Sequence, residues 1–207
     1  MTSNKVLLST TYFGPVQWYQ KLYRAEHVTI EQWESFQKQT YRNRCLIATT
    51  QGVQALTVPV EKPANSGNCI KDLRISDHGN WRHLHWNALQ SAYGESPFFE
   101  YYQDDIRPFF ERRWTFLLDF NEAIRQQICD LIDFEPKLSY STEYVVDSKT
   151  LAVDDLRATI NPKHPAQDDE FEAKPYYQVY QTKHGFLRNL SVIDLLFNMG
   201  PESIFYL

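Results

Sequence analysis

Lys5-Val6-Leu7-Leu8-Ser9-Thr10-Thr11-Tyr12-Phe13-Gly14-Pro15-Val16 decides the fold. Val6 to Leu8 is a short apolar run that reads as a first buried strand. Gly14 breaks the strand. Pro15 suits the first turn of a helix, where its missing N–H has no intrahelical partner to lose. Val16, Tyr19, Leu22 and Tyr23 then recur at helical spacing and predict a helix over 15–24. Strand, tight loop and helix together are an α/β opening.

Outward from this opening, His27 to Ile30 reads as a short second strand. From Arg44 to Val60 the period changes to two, with Cys45–Thr49 and Val53–Val60 flanking Gln51-Gly52, a hairpin signal. A polar loop covers 61–69. Trp81 to Tyr93 places Trp81, His85, Ala88, Leu89 and Ala92 at helical spacing. Ser96-Pro97 reads as the capped start of another helix. Phe116, Phe120, Ala123, Ile124, Ile128 and Leu131 form a third helical pattern, and 138–146 looks like a strand. A loop with three prolines spans 161–175, with Asp168-Asp169-Glu170 expected to be solvated. Tyr176–Tyr180 reads as a strand and Leu190–Asn198 as a helix. The expected architecture is α/β: a Rossmann-like three-layer sheet with a central helical block and a β-hairpin, in a single compact domain over 1–207.

Composition narrows the chemistry. The chain has 207 residues, 15% of them aromatic, and only 7 glycines. No two glycines are spaced for a dinucleotide fingerprint, a Walker A loop or a nucleophile elbow. A bound anion would therefore rest on Arg42 and Arg44 and on helix N-termini such as the one near Pro15. Net charge is −5, which disfavours nucleic acid as a partner. The 3 cysteines form no metal, redox or disulfide pattern. The N-terminal apolar run is too brief for a signal peptide, and no run approaches a membrane span. A cytoplasmic location is expected.

The candidate chemistry is sparse. His83 and His85 are two apart on a predicted helix, so they point in different directions and cannot share a metal. No metal site and no cofactor are expected. Tyr41-Arg42-Asn43-Arg44 offers two forked cations and an amide, suited to phosphate or carboxylate. His85, between Trp81 and Trp86 on an apolar face, is the best candidate for general acid–base work, although a satisfied core histidine is the plainer reading. Near the C-terminus, Ser191 reads as an N-cap and Asp194 as its short-chain capping-box acid. Gly200-Pro201 reads as the stop.

An ordered set of segments resembles the WbqC-like protein family: Tyr12-Phe13-x-Pro15, Arg42-Asn43-Arg44, Leu56-Thr57-Val58-Pro59-Val60, Trp81 followed by His85, Ser96-Pro97-Phe98-Phe99, Tyr176, and Leu190 to Glu202. Two features mark a divergent branch. The family's Gln-Pro-Tyr-Phe-x-Pro opening is Thr10-Thr11-Tyr12-Phe13-Gly14-Pro15 here. Its Tyr-x-Ser-Gly segment gives way to Asn161-Pro162-Lys163-His164-Pro165.

The resemblance implies a role in bacterial surface-polysaccharide or O-antigen biosynthesis: a transferase moving a glycyl, aminoacyl or related group onto an activated sugar. It nominates His85 as base, with Tyr12, Arg42, Asn43, Arg44, Trp81, Tyr176, Asn189 and Asn198 as substrate contacts. The implied partner is a small-molecule substrate such as a nucleotide sugar, and a homo-oligomer is compatible with it. Two alternatives stand beside it. One is a non-catalytic binding or scaffold protein of a glycan pathway. The other is a degenerate nucleotidyltransferase-like nucleotide binder, which lacks the expected motif histidine because Tyr19-Gln20 occupies its place.

Overall fold

The computed structural model describes residues 4–61, 69–148 and 153–207. β1 (Lys5–Ser9), α1 (Val16–Arg24) and β2 (His27–Glu31) form the opening unit, with β1 and β2 parallel from Lys5↔His27 to Ser9↔Glu31. The hairpin follows as β3 (Arg44–Thr49) and β4 (Gly52–Thr57). Its turn needs Gly52 at φ 105°, a value that side chains resist. The helical block is α2 (Trp81–Tyr93), α3 (Phe99–Ile106), α4 (Pro108–Glu111) and α5 (Leu117–Ile132). Two short strands return to the first sheet: β5 (Leu138–Tyr140) beside β2, and β6 (Asp154–Asp155) beside β1. α6 (Gln181–His184) and α7 (Val192–Met199) follow, and a 3-10 helix over Gly200–Tyr206 comes after α7.

The main sheet is wholly parallel, in the order β5-β2-β1-β6. The chain therefore proceeds outward from β1 on one side and returns to its other side. That reversal leaves the loops after β1 and β6 diverging from one another. Such a point, at the carboxyl ends of the strands, is where ligands bind in open α/β sheets.

One buried apolar cluster joins the sheet, α1, α2, α5 and α7, from Val6 to Leu207. The β1–α1 loop is built into it. Phe13 takes φ 40°, unusual for a bulky residue, and its ring lies fully buried between Phe109 and Phe110. Ser191 Oγ donates to the Phe13 carbonyl, and Val192 N donates to the Gly14 carbonyl. The start of α7 thus holds the start of α1.

Several expectations are corrected. The strand read over 138–146 ends at Tyr140, because Ser141 turns away to bind Glu31. Residues 176–180 form no strand. Ser96 caps no helix: its hydroxyl has no partner among the described residues, and α3 begins at Phe99. Asp168 is not solvated, since Lys21 Nζ at 2.8 Å and Gln17 Nε2 at 2.8 Å both bind its carboxylate. The polar loop at 61–69 lies mostly outside the described residues. No helix among the described residues is long and apolar enough to cross a membrane.

Candidate functional site

The helix N-terminus near Pro15 does not serve an anion. Its amides are taken within the fold: Val16 N donates to the Leu190 carbonyl and Gln17 N to Asn189 Oδ1 at 2.9 Å. Asn189 is therefore the cap of α1, contributed from the far end of the sequence.

Tyr12, Trp81 and His85 come together. Tyr12 OH meets His85 Nδ1 at 2.8 Å, and the Trp81 ring packs edge-on to His85 with centroids 5.2 Å apart. Burial lowers the His85 pKa from 6.5 to about 4, while a hydrogen bond to the Thr57 backbone opposes the shift. The imidazole is therefore neutral at pH 7, and its Nδ1 accepts from the Tyr12 hydroxyl, whose own ionisation burial suppresses. Arg44 reaches the same residue from the hairpin, with Nε donating to Thr57 Oγ1 at 3.0 Å.

Tyr176 and Asn198 belong to another centre. They surround Asp194, which is wholly buried. Tyr93 OH donates to Asp194 Oδ1 at 2.9 Å, while Tyr176 OH at 2.7 Å and Gln178 Nε2 at 2.9 Å donate to Oδ2. Asn198 Nδ2 donates to the Asp194 carbonyl. Burial raises the carboxyl pKa from 3.8 to about 6, against the lowering effect of the three donors. The capping-box role read for Asp194 is corrected: its carboxylate ties α2 and the 176–178 segment to α7.

Arg42 and Asn43 lie elsewhere. Arg42 forms a fork to Glu34, with Nε at 2.7 Å from Oε1 and Nη2 at 2.5 Å from Oε2, and its Nη2 also reaches Ser9 Oγ at 2.7 Å. Both partners are buried. Asn43 Nδ2 donates to the Val58 carbonyl, joining the Arg42 segment to the hairpin.

Arg42 stands at the strand-order reversal. An enclosed crevice there is lined by Ser9, Thr10, Thr11, Tyr41, Arg42 and Arg157 among others, with Leu156 and Ile160 closing it. Its cavity volume is about 10 Å³, no larger than one water. Thr11 is 6% exposed, and its Oγ1 is a buried hydroxyl with no hydrogen-bond partner among the described residues. Gly14 permits this placement, since a Cβ there would lie 2.4 Å from Thr11 Oγ1.

Two carboxylates steady the rim. Glu31, fully buried, accepts from Trp33 N, Ser141 Oγ and Val145 N. Arg157 Nη1 reaches Glu31 at 3.3 Å, and its Nη2 binds Asp155 at 2.6 Å and the Val145 carbonyl at 2.9 Å. Thr11, Glu31 and Arg157 were not singled out from sequence. A strand-terminal Ser-Thr-Thr and a lone acid ending β2 are their only sequence signals.

Fold and crevice define a parallel-sheet α/β protein with its candidate site at the carboxyl edge of the strands. The chain belongs to the WbqC-like protein family, whose model matches residues 10–206. An uncharacterized protein of Mycobacterium tuberculosis (strain ATCC 25618 / H37Rv) is 29% identical over 193 residues, spanning 83% of each chain. No solved structure matches the chain.

Proposed function

We propose that this chain is a transferase acting on an activated sugar, moving an aminoacyl or related group in bacterial surface-polysaccharide assembly, and that it holds the sugar's phosphates in the crevice at the strand-order reversal. One observation carries the reading: Thr11, whose buried hydroxyl has no partner among the described residues, lines the crevice with Arg42, where parallel α/β sheets bind ligands. A hydroxyl and guanidinium groups are suitable partners for phosphate oxygens. In this reading Arg42 and Arg157 supply charge, Thr11 donates a hydrogen bond, and the segment bearing Leu156 and Ile160 moves to admit the ligand. Arg44 and Asn43 join the hairpin to this rim. His85 acts through Tyr12, as a positioning residue for the loop after β1. Trp81, Tyr176, Asn189 and Asn198 support the same scaffold.

A second reading, a non-catalytic glycan-pathway binding protein, is favoured by the internal partners that Arg42, His85, Tyr176 and Asn189 already have. A thermal-shift screen with nucleoside diphosphates and nucleotide sugars tests binding. The expected result is a concentration-dependent rise in Tm that Thr11→Val shifts to about tenfold higher ligand concentration. Equal shifts in wild type and Thr11→Val would remove the crevice from the account. Product formation from a bound nucleotide sugar and an aminoacyl donor separates the transferase from the binding protein.

A further inference from the structure

Outside the closed crevice, at the carboxyl end of β5, lies an open cavity of about 520 Å³ walled by Thr29, Tyr140, Thr142, Glu143, Tyr144 and Asp147 among others. We propose that this cavity is the subsite for the pyranose ring of a neutral sugar, stacked on Tyr144; the proposal rests on the crevice reading above and extends it outward.

The two tyrosine rings are exposed yet held. Tyr140 is 41% exposed and Tyr144 50% exposed. Tyr140 OH donates to Glu122 Oε2 at 2.8 Å, and the Arg157 guanidinium lies 5.2 Å from the Tyr144 ring centroid. The loop that carries Tyr144 is fixed on both sides. Ser141 Oγ and Val145 N bind Glu31 at 2.7 and 2.9 Å, and Trp33 Nε1 donates to the Ser141 carbonyl at 3.1 Å. A ring already ordered in the free protein gives up little conformational entropy when a ligand settles on it.

The wall chemistry selects the ligand. Among the described residues, those lining the cavity include no Lys or Arg. Glu143 accepts hydrogen bonds, and the Thr29 and Thr142 hydroxyls both donate and accept. A pyranose matches this set, with an apolar C–H face for a tyrosine ring and a rim of hydroxyls for carboxylate and threonine.

Arg157 connects the two spaces. It lines the crevice, while its guanidinium backs Tyr144 and binds the Val145 carbonyl on the cavity side.

Saturation-transfer NMR and calorimetry on the full chain, with methyl α-glucoside, uridine and UDP as probes, test this. Methyl α-glucoside is expected to bind wild type, to weaken about tenfold in Tyr144→Ala and in Glu143→Gln, and to be unaffected by Thr11→Val. UDP is expected to show the reverse dependence. Unchanged Tm in the two surface variants verifies that they fold. Glucoside binding indifferent to both surface variants overturns the proposal, as does uridine displacing the glucoside from the same rings. UDP binding that depends on Thr11, with no glucoside binding at all, overturns the subsite and leaves the crevice reading standing. Glucoside binding that depends on Tyr144, with no nucleotide binding, supports the subsite and overturns the crevice.

Discussion

His85 and Asp194 act on the pH dependence of stability with opposite signs. The folded-state pKa of His85 is lowered to about 4, so the unfolded chain takes up the proton more readily. Its stabilising contribution is complete above the unfolded value near 6.5 and is lost as pH falls toward 4, by about 3 kcal/mol. Asp194 has its pKa raised to about 6, so its folded form binds the proton more tightly. Its contribution is complete below the unfolded value of 3.8 and is lost as pH rises through 6. Urea unfolding of the wild type, His85→Gln and Asp194→Asn between pH 7 and 4 checks this. Relative to wild type, His85→Gln is expected to gain stability as pH falls, and Asp194→Asn to lose it. Parallel pH profiles for all three proteins would contradict the burial of these groups.

At the same scale, sequence reading reached His85 and its aromatic neighbours because helical spacing put them on one face. It misread Asp194 because an acid three residues after Ser191 matches a cap. The donors that claim it, Tyr93 and Tyr176, lie in remote parts of the chain, and local grammar carries no record of them.

The element that most depends on distant partners is α1. Its polar side is buried: Gln17, Gln20 and Lys21 are covered by the loop that carries Asp168 and Glu172, and Arg24 Nε binds the Leu207 carbonyl. Asn189 supplies the cap from φ 54°, a left-handed conformation that asparagine tolerates. Asn189→Gly keeps that backbone and removes the cap, with an expected loss of about 1 kcal/mol. Asn189→Ala adds backbone strain and is expected to lose about 1 kcal/mol more. Chemical denaturation measures both, and equal losses would show that the backbone conformation contributes nothing. The existence of α1, α2 and the hairpin and the bounds of the two helices were legible, since periodicity and glycine–proline punctuation are local properties, whereas the hairpin's second strand, read to Val60, ends at Thr57. β5 and β6 were not legible at their observed lengths, because two or three residues hold no periodicity and their pairing is made by β1 and β2.

Across the whole molecule, buried charge gathers at the carboxyl edge of the sheet. Arg42–Glu34 braces the connection between β2 and β3, and Arg157–Glu31 ties the segment after β6 to the end of β2. Removing one member leaves the other charged and desolvated. Glu34→Gln is therefore expected to cost about 3–5 kcal/mol, and the double variant Glu34→Leu with Arg42→Met much less. Equilibrium unfolding of the single and double variants decides this, and additive losses would contradict a coupled buried pair. Such an edge is costly to maintain for stability alone, and its position at the strand-order reversal is the reason for treating it as the site. The family resemblance and the α/β class were open to sequence reading, but the crevice was not. Its lining comes from segments that meet only once the sheet is ordered.

The most direct test of the central claim is a calorimetric titration of a nucleotide sugar into wild type and into Thr11→Val. Valine keeps the shape of threonine and removes only the unpartnered hydroxyl. Saturable 1:1 binding to the wild type is expected, weakening about tenfold in Thr11→Val with the fold unchanged. Equal affinity for the two proteins, or no binding to the wild type by any nucleotide sugar, would contradict it.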